Sequence, residues 1–195
     1  MFFKKSDPYL LIVGMTGVKM GDAIFQVGCV NGGRLAAVAA KVGLSGRAAL
    51  VAPDEASAAR GRKAAEAAGV LLDVEVAPPT RLPLEDDVFD LALVDDTAGL
   101  FGSMRPEDRV AAIRELVRVL RPGGRVLMIG AAPRGGLGAV LSRTQNGPPF
   151  VASGDATKSL EADGFKAART LAEREGLVFV EGIKPRGVQG PTVHT

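Results

Sequence analysis

The residues best placed to do chemistry form a short turn, Val27-Gly28-Cys29-Val30-Asn31-Gly32-Gly33, set between an apolar run and an alanine-rich one. Backbone N–H groups exposed where a strand turns into a helix favour a negative group, and glycines let the chain approach a ligand closely. Further on, Asp54 and Glu55 close a second apolar run, the place where an acidic side chain accepts hydrogen bonds from ribose hydroxyls. A plainer reading stands beside each of these. Asp54 also suits the cap of a helix beginning at Glu55, and Gly32 also suits a strand end. Cys29 reads as a small buried filler of the turn, not as a reactive thiol.

A second glycine group, Gly14-Met15-Thr16-Gly17 with Gly21, follows the apolar run Tyr9 to Val13. The next strand starts at Ala23, which leaves no room for a helix to present its amino end to a phosphate. The segment therefore reads as a loop or frayed helix leading into the sheet. Cys29 is the only cysteine and His194 the only histidine. An intramolecular disulfide is thus impossible, and histidine-served nucleophiles and His or Cys metal cages are not expected. A lone free thiol fits a reducing, cytoplasmic setting.

The elements that must hold the turn follow from pattern. Strands are expected at Ala23 to Gly28, Ala48 to Ala52, Leu71 to Val76, Phe89 to Val94 and Arg125 to Ile129, with helices at Arg34 to Val42, Glu55 to Ala68 and Pro106 to Leu120. Pro122-Gly123-Gly124 breaks the chain before the fifth strand. A Gly- and Pro-rich stretch from Ala131 to Gly154 precedes a short helix to Asp163 and strands near Phe165 to Leu171 and Leu177 to Ile183. Strands alternating with helices imply parallel pairing inside two helical layers. The last two strands, joined by the polar turn Ala172 to Gly176, are expected to form an antiparallel hairpin at one edge. Ligands in such folds bind beyond the carboxyl ends of the strands.

With 195 residues, 47% of them hydrophobic, the chain suits one domain at about 150 residues per domain. That domain is expected over residues 1–185, followed by a flexible tail over 186–195. A net charge of +2, from 24 basic and 22 acidic residues, offers no cationic face for nucleic acid. Lys4 and Lys5 before the run Tyr9 to Val18 suggest an export signal, but Asp7 and Pro8 interrupt it and the run is too short to span a bilayer. No membrane span is expected, and the oligomeric state stays open, a homodimer included.

Val27-Gly28-Cys29 and Asn31-Gly32 after a strand, Leu82-Pro83-Leu84 with Asp86, Asp87, Phe89 and Asp90, and Arg114 through Gly124 (RELVRVLRPGG) together resemble the class I S-adenosylmethionine-dependent methyltransferases. The nearest group is the type 11 enzymes, which include those of ubiquinone and menaquinone biosynthesis. The resemblance covers roughly Gly17 to Pro185. It implies an α/β, three-layer, Rossmann-like fold with a seven-stranded, mostly parallel sheet in the order 3-2-1-4-5-7-6, its last strand antiparallel. It implies S-adenosylmethionine as cofactor, held by Gly28, Cys29, Val30, Asn31, Gly32, Asp54, Glu55 and Leu82. The adenine would lie near Pro78 to Leu82 and the methyl would face Asp95 and Asp96. The reaction would be direct in-line transfer to a small-molecule acceptor, with Asp95 or Asp96 as base or orienting acceptor. Both aspartates also suit a plain role at the end of a strand. Pro133 to Ser153, with Arg134 and Arg143, reads either as a lid that selects the acceptor or as a surface excursion.

Three positions depart from the family pattern. Gln26 stands where it has an acid, so the turn's pull on a cation weakens. Val30 stands at its second glycine, where a branched side chain resists positive φ and takes up space. Pro78 replaces an acid beside the adenine. These changes give a second reading, a catalytically degenerate domain acting as a binding or assembly module.

Overall fold

The computed structural model describes residues 7–133 and 149–186. Arg134, Arg143, most of the glycine-rich stretch, His194 and the tail from 187 lie outside the described residues. In order, the elements are α1 (Leu10–Thr16), β1 (Ala23–Val27), α2 (Gly32–Val42), β2 (Arg47–Ala52), α3 (Glu55–Ala68), β3 (Asp73–Val76), β4 (Phe89–Asp96), α4 (Pro106–Val119), β5 (Leu120–Ala131), α5 (Asp155–Ala162), β6 (Lys166–Arg174) and β7 (Leu177–Ile183). No helix among the described residues is long and apolar enough to cross a membrane.

The seven strands form one sheet in the order β3-β2-β1-β4-β5-β7-β6, as expected from the resemblance. β1, β2, β3, β4 and β5 pair in parallel, and β7 runs antiparallel to both β5 and β6. Alternating side chains of the central strands feed apolar clusters, of which two are the largest. Phe25, Val51, Ala92, Val94, Val126 and Met128 pack with Ile113 and Leu116 of α4 and Leu160 of α5. Their neighbours Ile24, Leu91, Leu93, Leu127 and Ile129 pack with Val38 and Val42 of α2 and Ile12 of α1. Strands buried on both faces have near-continuous apolar sequences, which is why β2 and β4 stood out in the sequence.

Two boundaries differ from expectation for physical reasons. The hairpin turn is tighter than Ala172 to Gly176: Glu175 and Gly176 both adopt positive φ, 53° and 73°. That is the two-residue geometry that matches strand twist, so β6 runs on to Arg174. The ladder of β5 begins early, at Leu120 opposite Phe89, then jumps to Arg125 opposite Leu91. Pro122-Gly123-Gly124 is therefore a bulge within the strand's course and not a gap before it. The segment Tyr9 to Thr16 is the helical alternative, and Tyr9 lies against Gly33 at the start of α2.

Candidate active site

The carboxyl ends of β1, β2 and β4 bring together the turn, Asp54 and the Asp95–Asp96 pair. Gly28 leaves β1 at φ 75°, and a Cβ there would meet Leu100 at 3.1 Å and the Asp95 carbonyl at 3.2 Å. Only glycine fits both the backbone and the space. Gly32, at the start of α2, allows α3 to close in: its Cβ would lie 2.7 Å from that of Ala64.

The turn is clamped from both sides. From α3, Ser57 Oγ accepts from the Cys29 amide and donates to the Cys29 carbonyl, both at 3.2 Å, while Arg60 Nε donates to the same carbonyl at 2.9 Å. From β4, the Asp95 carboxylate accepts the Val30 amide at 2.8 Å and the Asn31 amide at 3.4 Å through Oδ2. Its Oδ1 accepts the Thr97 hydroxyl at 2.6 Å and the Thr97 amide at 3.3 Å. The Gly28 amide bonds Val51, and its carbonyl accepts from buried Gln26 Nε2 at 2.7 Å. The negative group that the turn's amides were expected to recruit is thus, for Val30 and Asn31, supplied by the chain's own Asp95. Sequence pattern had no signal for this, since Ser57 and Arg60 reach the turn, and Asp95 reaches it from β4, only through the fold.

Asp54 serves as the cap: its Oδ1 accepts the Ser57 amide at 2.7 Å, and among the described residues its Oδ2 has no partner. The side chain is exposed at the end of β2. Asn31 caps α2 in the same way through the Arg34 amide. Glu55 is exposed in the first turn of α3 and pairs with Arg62. Leu82 belongs to the apolar core, its amide held by Glu115 at 2.7 Å and its carbonyl by Arg118 at 2.9 Å. With Pro78, Arg81 and Pro83 it lines an open cleft of about 840 Å³ beside β3.

The expectation for Val30 is corrected in part. The positive-φ residues other than glycine among those described are Asp87, Ala167 and Glu175, so Val30 carries no left-handed strain. The residue is 43% exposed and stands at the surface of the turn. Cys29 is buried, and burial together with the nearby Asp95 charge pushes its thiol up to about 11, which makes it inert.

Asp96 points into the following loop, where it accepts the Phe101 amide at 2.7 Å. Burial pushes its carboxyl up to about 7; the Phe101 and Gly102 amides and Arg109 pull it back, and Asp95 adds to the rise. Arg109 in turn binds the Phe101 and Met104 carbonyls and stacks 4.5 Å over the Phe150 ring. Phe101 and Phe150 stack at 6.2 Å.

These residues fit an adenosyl ligand that carries a positive charge. Asp54 keeps one carboxylate oxygen without a partner among the described residues, Gly28 presents a bare backbone, and the amides from Gly28 to Asn31 are already bonded, which leaves them nothing to give a pyrophosphate.

A family model for a type 11 methyltransferase domain matches residues 25–128. The chain is 30% identical over 164 residues to the methyltransferase GfsG of Streptomyces halstedii, covering 84% of this chain and 55% of that one. It is 30% identical over 114 residues to the ubiquinone/menaquinone biosynthesis C-methyltransferase UbiE of Chromobacterium violaceum, covering 58% and 45%. It thus spans about half the length of these curated relatives. Among solved structures, a SAM-dependent methyltransferase from Aquifex aeolicus superposes with a TM-score of 0.70 at 19% identity, covering 92% of this chain and 95% of that one. With the family model spanning more than half of its length, the chain belongs to the type 11 methyltransferase-domain family.

Proposed function

We propose that the protein is an S-adenosylmethionine-dependent methyltransferase acting on a small-molecule acceptor. The observation that carries this reading is the arrangement of carboxylates around the Gly28–Gly32 turn: exposed Asp54 on one side and buried Asp95 on the other. S-adenosylmethionine supplies a methyl group on a sulfonium, which leaves as a neutral thioether. Asp54 accepts the ribose hydroxyls, Gly28 keeps the backbone low beneath the ligand, and the clamp of Ser57, Arg60 and Asp95 fixes the turn before binding. Preorganisation of this kind lowers the ordering cost of the bound complex.

Asp96 takes the part of proton acceptor for an acceptor hydroxyl or acidic carbon. A base with a pKa close to the working pH is the efficient one, and Asp96 sits at about 7. The acceptor enters over the end of β4. A soluble, cytoplasmic setting agrees with a single, inert thiol.

Thermal melts with S-adenosylmethionine, S-adenosylhomocysteine and NADPH test the reading. A ligand at 100 times its dissociation constant stabilises by about 2.7 kcal/mol, worth roughly 2–4 °C per kcal/mol for a chain of this size. The adenosyl ligands are expected to raise the melting temperature and NADPH to leave it unchanged. No shift with either adenosyl ligand at millimolar concentration overturns the proposal.

A further inference from the structure

The two edges of the sheet are built differently. β6, at one edge, carries Lys166, Arg169 and Arg174, breaks register twice against β7, and holds Ala167 at φ 51°. Bulges and cations of this kind blunt an open edge against a further strand. β3, at the other edge, has neither: Asp73 to Val76 pair in unbroken register with Ala49 to Ala52 of β2, with no lysine and no proline. The Ala77 amide turns inward to the Ala52 carbonyl, so alternation along the strand turns the main-chain groups of Val74 and Val76 outward. An open cleft flanks each end of this edge. The one described above, of about 840 Å³, takes in Val76 and Ala77 and runs to Leu84 and Glu85. A second, of about 380 Å³ beside the carboxyl ends of α2 and α3, takes in Leu44, Val70, Leu71 and Asp73. Leu44, Leu71 and Val76, exposed by 93%, 79% and 47%, stand along the same edge.

We propose that the β3 edge is a docking surface for an extended, basic segment of a partner protein, added as a further strand with its apolar side chains in the two clefts. Strand addition draws affinity from main-chain hydrogen bonds and specificity from pockets for alternate side chains. Charge decides the partner. Asp73 and Glu75 share a face of β3, and Glu85 joins them across Arg47, which bonds both Asp73 and Glu85. Glu75 forms no ion pair within 4.0 Å among the described residues. The cations of the larger cleft are already answered: Arg118 is engaged by Glu115 and Asp86, and Arg81 lies near Glu115. A second copy of the chain does not fit. In the two-fold registers that pair Val74 with Val74 or Val76, a carboxylate of Asp73 or Glu75 stands opposite one from the other copy, and like charges so placed destabilise a sheet. Pairing β3 with β6 of another copy meets the broken register of β6, and such a contact does not close. The surface lies at the side of the sheet, so the proposal goes beyond the methyltransferase reading and leaves the turn after β1 free.

Two capped, fluorescently labelled peptides, Lys-Val-Lys-Val-Lys and Glu-Val-Glu-Val-Glu, test this on the full chain by anisotropy titration. The lysine peptide is expected to bind saturably and the glutamate peptide about tenfold more weakly. Glu75→Lys is expected to abolish that preference while affinity for S-adenosylmethionine stays within about twofold. Residue-resolved hydrogen exchange on the wild-type chain is expected to show the lysine peptide slowing the amides of Val74 and Val76, a readout that decides even should Glu75→Lys fail to fold. Saturating S-adenosylmethionine is expected to leave the peptide's affinity unchanged. Absence of saturable binding, equal binding of the two peptides, a preference unmoved in Glu75→Lys, or protection that spares Val74 and Val76 overturns the proposal. Displacement of the peptide by S-adenosylmethionine assigns the larger cleft to the cofactor and overturns it too, while the methyltransferase reading stands. A chain that binds the lysine peptide at Val74 and Val76 but no adenosyl ligand upholds the proposal and removes that reading alone.

Discussion

Asp95 and Asp96 are consecutive and equally buried, each 4% exposed, but they serve regions built on opposite principles. Asp95 faces the turn after β1, where polar groups from α3 and β4 hold almost every backbone atom in place. Asp96 faces the loop after β4, where it accepts the Phe101 amide with Arg109 nearby and burial dominates. Hydrogen bonds to the charged form favour a carboxylate, and desolvation opposes it. Successive side chains point to opposite faces, so one step along the strand carries a carboxylate from the turn to the loop.

The contrast breaks most sharply at Gly28. Gly28→Ala forces a Cβ onto positive φ and against Leu100 and the Asp95 carbonyl. A loss of about 3 kcal/mol is expected, read as a lower denaturation midpoint with unchanged m-value. On the other side, Asp96→Asn is expected to lower turnover about a hundredfold while calorimetric affinity for S-adenosylmethionine stays within twofold. Its stability profile tests the burial argument directly. Because the folded carboxyl is raised from 3.8 to about 7, the folded state holds its proton more tightly. Wild-type stability should therefore be full below pH 4, fall between pH 4 and 7, and level off above; Asp96→Asn should lose that slope.

Smaller effects sharpen the picture of the turn. Ser57→Ala removes the partner of the Cys29 amide and one partner of its carbonyl and is expected to cost about 1 kcal/mol, with faster hydrogen exchange at Cys29. Val30→Gly carries no relief of backbone strain, since Val30 does not occupy positive φ. Its expected effect is a few-fold tighter adenosyl binding from the cleared surface of the turn, and a looser grip would show that the valine is a contact.

Most of the fold was legible because it is written in short-range pattern. The run Ala49-Leu50-Val51 announces a strand buried on both faces, Asp54 and Gly69 bracket α3, and Arg114 through Gly124 carries the family's motif. What pattern could not supply was the identity of the hydrogen-bond partners. Asp95 lies 65 positions from Val30 and Ser57 lies 28 from Cys29, so nothing local couples them. The same is true of Leu82, which the family motif placed beside the cofactor and whose side chain joins the core. The tight Glu175–Gly176 turn escaped because glutamate rarely adopts positive φ.

The position of Cys29 has a practical side. It is the sole thiol of the chain, sealed at 1% exposure in the very segment whose rigidity matters. An alkylating reagent can reach it only when that segment springs open, so the speed of labelling is a stopwatch on the excursion. Slower labelling in the presence of an adenosyl compound would convert occupancy into a clock reading at the chain's own thiol.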